Sequence, residues 1–391
     1  MEGKSRKKVL AAILACVLCI SVFAGCAAGT GTTEPAPDAG ESASAPAETA
    51  AGENTPDAGN EPAEPAGELQ RPEPISGTEV VNIADIAEYT KKEEGEPMTF
   101  ALLLFSRGFE WMIGLQQEFE ATCEQLGVTP IVLDAQGSDD TQLDQIQDMI
   151  TQRVDAIILT PNSNDGLVAG VKMAQEAGIP LVTCESEVEG NIVPIHVGVD
   201  NYQMGQLAAE FIADKIGGKG KVLECRGALA SLSSTARHDG FVETMANYPD
   251  IEVISKNTEW VSTEASSATQ DVLTANPDLA AIYSHNDEMQ TGIQSALREM
   301  GRLVPSGEDG HIVLVGIDGT PLGLERLREG IQDACVVQDP FDQGKYIANY
   351  AYDFLTGKDV PRKTLTQPYV VTQEYAALDV LWGNHEFEAV E

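Results

Sequence analysis

From Met98 onward, short apolar runs alternate with segments whose apolar residues recur every three or four positions, and this alternation most restricts the fold. Phe100–Phe105 reads as a strand. Met112, Leu115, Phe119 and Leu126 then share one helical face, which Gly127 ends. Ile131–Leu133 is a strand, and Leu143, Ile146 and Ile150 mark a helix. Ala156–Leu159 is a strand stopping at Thr160-Pro161-Asn162. Leu167, Val171 and Ala174 give a helix ending at Gly178, before strands at Pro180–Thr183 and Ile195–Val199. The alternation then restarts with helix 202–216, strand Val222–Cys225, helix 234–247, strand Ile251–Ser255 and helix 264–275. Strand 280–284, helix 287–300 and strand Ile312–Val315 follow, with a helix marked by Leu324 and Leu327. Strand Ala334–Val337, helix 344–356 and a strand at Tyr369–Val371 complete the series. Strands linked by crossover helices form right-handed units and parallel sheets. Two runs of similar length predict an α/β chain with two similar doubly wound lobes.

The 391 residues, 42% of them hydrophobic, suffice for two cores. A net charge of −38 argues against a nucleic-acid partner, whose phosphates need a basic surface. It also argues against charge-driven adhesion to anionic lipid. At the start, Lys4, Arg6, Lys7 and Lys8 precede an apolar run over residues 9–24, shorter than the usual bilayer-spanning helix. The run ends in Val22-Phe23-Ala24-Gly25-Cys26, which resembles a bacterial lipobox. Residues 1–25 are thus expected to be a lipoprotein signal peptide, with Cys26 lipidated; the alternative is an ordinary signal peptide with Cys26 incidental. Residues 27–74 hold almost no large apolar side chain and cannot offset their ordering entropy. Residues 75–97 are transitional, with a short helix around Ile83–Tyr89. The whole span 26–97 is expected to be an acidic disordered tether. Of seven Cys, Cys123, Cys184, Cys225 and Cys335 lie in the folded part without metal-ligand spacing, as buried free thiols or in a disulfide that the sequence leaves unpaired.

A polar cluster, Ser284-His285-Asn286-Asp287-Glu288, stands where strand 280–284 gives way to a helix. In open α/β sheets ligands bind at the carboxyl ends of strands; Asn286 or Asp287 serves equally as a helix N-cap. Four further segments accompany it: Ile158–Asn162, Gly178–Thr183, Ala236–Phe241 and Val315–Pro321. In this order and spacing the five resemble the ribose-type (type I) periplasmic sugar-binding proteins, extracytoplasmic receptors of carbohydrate ABC importers. The resemblance runs from about Met98 to Gln373. It implies a periplasmic binding protein-like I fold, with two doubly wound parallel-sheet lobes, a three-crossing hinge and ligand in the cleft. The N-terminal lobe would be 98–200 plus 340–366 and the C-terminal lobe 201–339 plus 367–391, with crossings near Asp200, Gln338 and Thr366–Tyr369.

The resemblance also nominates contacts. Asp318 ends a strand, and its carboxylate accepts hydrogen bonds from a pair of hydroxyls, unless it only caps helix 320–329. Arg237 offers a planar fork of donors, for sugar or for a salt bridge. Asn286 suits an adjacent hydroxyl pair, and Gln338 matches a family ligand Gln. Trp111 and Trp260 would cover sugar C–H faces or pack in a core; Phe109 and Met112 are alternatives in the first turn. Departures from the family pattern bear on the ligand. Thr183-Cys184-Glu185-Ser186 keeps the acid as Glu185 but lacks the family's following Arg, and Thr160 stands where ribose binders place Asn. Arg107 is a further candidate that would suit a more polar or acidic sugar, or is simply solvated.

The expected function is a lipid-anchored receptor, monomeric and without a cofactor, on the outer face of the cytoplasmic membrane. It would capture a small sugar and deliver it to ABC permease subunits. A sugar-sensing subunit for a membrane kinase or chemoreceptor is the alternative. Five His fall in no nucleophile–base or metal motif, which argues against an enzyme. With no helix-turn-helix before the first lobe, a sugar-responsive repressor is set aside.

Overall fold

The computed structural model describes residues 68–385. The signal peptide, Cys26 and the first part of the tether lie outside the described residues. Two short strands come first, β1 (Ile75–Ser76) and β2 (Val80–Val81). The first lobe then runs β3 (Met98–Leu104), α1 (Glu110–Leu126), β4 (Val128–Asp134), α2 (Asp139–Gln152), β5 (Ala156–Leu159), α3 (Val168–Glu176), β6 (Leu181–Glu185) and β7 (Ile195–Val199). The second runs α4 (Asn201–Lys215), β8 (Lys219–Arg226), α5 (Leu232–Met245), β9 (Asp250–Asn257), α6 (Ser262–Ala275), β10 (Leu279–Ser284), α7 (Asp287–Glu299), β11 (Val313–Asp318), α8 (Pro321–Arg328) and β12 (Ala334–Val337). The chain then returns through α9 (Pro340–Leu355), β13 (Val360–Pro361), β14 (Lys363–Thr366) and β15 (Tyr369–Thr372).

One sheet has the order β1-β14-β7-β6-β5-β3-β4 and the other β15-β12-β11-β10-β8-β9. Within each, the first lobe strand lies between the second and third, so the order reverses at the same place in both. All pairings in the two sheets are parallel except β1 with β14 and β15 with β12. Strands covered on both faces read as continuous apolar runs rather than alternating ones. In β3, Phe100, Leu102 and Leu104 point to the face packed by α1 and α9, while Ala101 and Leu103 point to the α2–α3 face. In the second sheet Ala281 and Tyr283 pack toward α4 and α5, and Ile282 toward α6 and α7. The chain passes between the sheets three times: at Asp200 between β7 and α4, at Gln338-Asp339 between β12 and α9, and at Gln367-Pro368 between β14 and β15.

Three expectations are corrected. Residues 75–97 are not tether. β1 extends the first sheet antiparallel to β14, β2 pairs with β13, and Ile83 is buried in the first-lobe core. Upstream, Arg71 Nη2 donates to Asp339 at 2.7 Å and to Asp342 at 3.1 Å, with its guanidinium 5.6 Å from the Tyr369 ring centre. These partners lie some 270 residues away in the chain, so no local pattern announces them. The helix foreseen around Ile83–Tyr89 is only a 3-10 turn, Ile83–Asp85. The helix foreseen at 344–356 starts at Pro340, where Asp339 caps it by accepting from Phe341 N; proline fits a first helical turn, whose N–H has no partner anyway. Cys123, Cys184, Cys225 and Cys335 are all buried and free. No helix among the described residues is long and apolar enough to cross a membrane.

Helices α4 and α5 approach backbone to backbone, and this contact sets the second lobe's share of the cleft. A Cβ on Gly205 would lie 2.0 Å from the Arg237 carbonyl oxygen, and one on Gly240 would lie 2.0 Å from that of Tyr202. Neither obstacle is a flexible side chain, so the helices would have to separate. Gly240→Ala is expected to destabilise the protein by about 1–3 kcal/mol, the usual range for overpacking, and to shift Arg237. A thermal melt of this variant that overlays the wild type would show the approach to be looser than drawn.

Candidate functional site

The carboxyl ends of both sheets' strands, together with the hinge, enclose a cleft of about 510 Å³. Eight of the ten candidate residues line it. Trp111, Met112 and Glu185 come from the first lobe; Arg237, Trp260, Asn286 and Asp318 from the second; Gln338 from the second crossing.

Arg237 is 2% exposed and almost wholly held by its own lobe. Nε donates to Asn201 Oδ1 at 2.8 Å, Nη1 donates to the His285 carbonyl at 2.5 Å, and the guanidinium lies 5.6 Å from the Trp260 ring centre. That leaves the Nη2 edge. Its positive charge acts on Glu185 from the first lobe and on Asp318 from the second. Burial raises both carboxyls above the ordinary range, and Arg237 opposes the rise in each; serine hydroxyls of Ser186 and Ser233 also oppose it at Glu185. Gln338 Nε2 donates to Asp318 Oδ1 at 2.6 Å, and Trp111 Nε1 donates to the Gln338 carbonyl at 3.3 Å, which ties the first-lobe indole to the hinge.

Three of these residues hold the left-handed backbone region without being glycine: Glu185 at φ 66°, Trp260 at φ 63° and Asp318 at φ 108°. Each such residue costs on the order of 1–3 kcal/mol, and such costs gather where a side chain must be aimed. Asn286 does both things foreseen for it. Its Oδ1 accepts from Met289 N at 3.0 Å, capping α7, and it lines the cleft.

Two candidates stand elsewhere. Thr160 is fully buried; its Oγ1 accepts from Phe105 N at 2.9 Å and donates to the Leu103 carbonyl at 3.4 Å, tying β5 to β3. Arg107 turns along the flank of the first lobe. Its Nε donates to Gln116 Oε1 at 2.9 Å and Nη2 donates to the Val132 carbonyl at 3.5 Å. A strand-end position predicts the neighbourhood of a residue but not its direction. With Arg107 outside, the sequence argument for an acidic sugar loses its basis.

Sequence reasoning missed the turns after β4 and β9, which bring Gln136, Asp139 and Glu259 to the cleft, and the share of Asn162 and Ser163 after β5. The strand–helix alternation already placed these turns at the same end of their sheets, and that was the available signal. Asp287 was also missed as a positioning residue. Its Oδ2 accepts from Gly319 N and Thr320 N, both at 3.0 Å, and so fixes the turn that carries Asp318. Behind Arg237, the buried Glu224 accepts from His285 Nε2 at 3.0 Å and from His238 Nδ1 at 2.9 Å. Gly227 N donates to His285 Nδ1 at 3.3 Å, and burial lowers this imidazole to about 4, so it stays neutral and fixed.

Two hinged α/β lobes with a polar and aromatic cleft between their strand ends define a small-molecule binding protein. The family model described as periplasmic binding protein domain matches residues 100–359, and the chain belongs to that family. It is 30% identical over 270 residues to the ribose import binding protein RbsB of Bacillus subtilis strain 168, covering 69% of this chain and 85% of that one. Among solved structures it resembles an ABC transporter periplasmic solute binding protein of Actinobacillus succinogenes 130z with bound D-allose. The TM-score is 0.67 and the identity 29%, over 71% of this chain and 99% of that one. It also resembles the fructose binding periplasmic domain of a hybrid two component system, with TM-score 0.67 and 25% identity over 71% and 92% of the two chains.

Burial and the charge of Asp318 raise the Asp287 carboxyl to about 6 from an ordinary 3.8. A carboxyl raised on folding adds stability below its unfolded value and loses that contribution as pH climbs through the folded one. Asp287→Asn removes the titration. Its melting temperature is therefore expected to gain on the wild type as pH rises from 3.8 to about 6 and to hold that gain above it; parallel melting curves across that window would show that Asp287 does not titrate there.

Proposed function

We propose that this chain is an extracytoplasmic sugar receptor, anchored through lipid on Cys26 to the outer face of the cytoplasmic membrane, which hands its ligand to an ABC importer. The observation that carries the reading is the convergence, in one cleft, of aromatic rings and charged hydrogen-bonding groups from both lobes and the hinge. Sugars present C–H faces between hydroxyls, so they need both kinds of surface. In this reading Trp111 and Trp260 cover the faces, with Met112 beside Trp111. Asp318 and Glu185 accept from hydroxyls, Arg237 donates through Nη2, and Asn286 and Gln338 bridge neighbouring hydroxyls. Only a closed cleft makes all these contacts, so ligand shifts the hinge toward closure and the permease subunits meet the closed surface. The receptor acts as a monomer and needs no cofactor. Against an enzymatic reading, His285 stands behind the cleft with both ring nitrogens engaged.

A sensing role is the second reading, supported by the likeness to the periplasmic domain of a hybrid two component system. Both roles use the same closing lobes, so the binding test is shared.

A thermal-shift screen of pentoses, hexoses, polyols, sugar acids and nucleosides is expected to give a rise in apparent stability with at least one sugar, since ligand stabilises the state it binds. A flat response across all classes would overturn the sugar reading. With the ligand found, Asp318→Ala and Arg237→Ala should each weaken binding by about tenfold or more, the scale of hydrogen bonds to charged groups. Arg107→Ala should leave affinity unchanged. Wild-type affinity in both cleft variants would remove the site assignment.

A further inference from the structure

The cleft is unbalanced in charge. Among the described residues, four carboxylates line it, those of Asp139, Glu185, Glu259 and Asp318, against the single guanidinium of Arg237, and no Lys or His stands in its wall. All four already have donors within the protein, Asp318 from Gln338 Nε2 and Glu185 from the Ser186 and Ser233 hydroxyls. Asp139 accepts from Asn162 Nδ2 at 2.8 Å and from Ser163 Oγ at 2.5 Å, and Glu259 accepts from Asn257 Nδ2. Glu185 from the first lobe and Asp318 from the second both line the cleft, and the one charge of Arg237 acts on both. Behind Asp318 stand the buried Asp287 and the half-buried Glu288, both influenced by its charge; Arg326 interacts with that pair.

A second observation comes from the neutral member of the corner. Gln338 is 4% exposed and lines the cleft, and its Nε2 is spent on Asp318. Its Oε1 is buried and has no hydrogen-bond partner among the described residues. A buried amide oxygen left unpaired is costly, and a ligand donor placed there would remove that cost. The corner of Glu185, Asp318 and Gln338 therefore offers acceptors from both lobes and the hinge, while two of the five Arg237 N–H donors are held by Asn201 and the His285 carbonyl. An ammonium has three donors and no acceptor, which is the complement of such a corner. A carboxylate or phosphate would bring a further negative charge, out of water, against the ones already present, and burial makes such an unpaired charge expensive.

We propose that the cleft selects its sugar by charge, taking a sugar that carries a protonated amine in preference to the neutral parent and rejecting sugar acids and sugar phosphates, with the amine seated at Glu185, Asp318 and Gln338. This rests on the sugar-receptor reading and names the ligand class within it. Because both carboxyls are raised in the empty cleft, an arriving ammonium favours their ionised forms and drives off any proton they hold.

The test is titration calorimetry on the full chain at about pH 6.5, where an amino sugar is protonated. Galactose, glucose and mannose are each compared with their 2-amino, N-acetylamino and uronic acid forms, alongside galactose 6-phosphate, neutral pentoses and polyols. The expected result is a series in which the amine binds at least tenfold tighter than its parent, N-acetylation removes that advantage, and the acid and the phosphate give no heat. Glu185→Gln should narrow the amine-to-parent ratio; the wild-type series decides the matter if that variant does not fold. Binding of any neutral sugar or polyol with no amine tighter than its parent overturns charge selection alone, as does an acid that binds best. Silence across every sugar overturns the receptor reading itself and this inference with it.

Discussion

A guanidinium withdrawn from water is costly unless anions and acceptors surround it, and much of this structure is arranged around that of Arg237. Asn201 and the His285 carbonyl hold it from within the second lobe, and the Trp260 ring covers it. Each holder depends on something further out. Asn201 opens α4 just after the first crossing. His285 is fixed by Glu224, a fully buried carboxylate held down by His285, His238 and Ser255. The backbone approach of α4 to α5 sets the height at which Arg237 leaves its helix. The remaining compensation comes from Glu185 and Asp318, one on each lobe. The charge balance of Arg237 thus spans the cleft, and a change in lobe separation changes it.

The hinge carries a second such tie. Asp339 follows the second crossing, caps α9 and accepts from Arg71; the Arg71 guanidinium also lies over Tyr369, just beyond the third crossing. The residues leading into the first lobe are therefore built into the hinge region rather than merely attached beside it. Trp111 adds a direct link from the first-lobe wall of the cleft to the Gln338 carbonyl, between the same two lobes.

How much of this could be read from the chain differs by feature. The alternation of strands and helices was plain because strands covered on both faces are apolar throughout, and helices show their buried face at every third or fourth residue. The crossings at Asp200 and beside Gln338 fall where the alternation changes lobe. Eight candidates were legible because in such folds the ends of strands converge: Asp318 ends β11, Asn286 follows β10, and Arg237 sits in the helix after β8. Arg107 and Thr160 share that position but turn away, Arg107 to Gln116 and Thr160 into the β3–β5 seam. Side-chain direction depends on which neighbour offers a partner, and for both residues the partner is set by packing.

The sequence by itself determined the two parallel sheets, their helical covering and the set of turns from which a cleft is made, because these follow from local periodicity and the handedness of the chain. Only the tertiary structure decided that residues from Arg71 onward belong to the folded body, since their partners come from the far end of the chain. It also decided the electrical character of the cleft. Composition counts charges over the whole molecule, whereas a site's preference depends on which few are brought together without water. Here those few are Glu185 and Asp318 sharing one Arg237, with a Gln338 oxygen left open beside them.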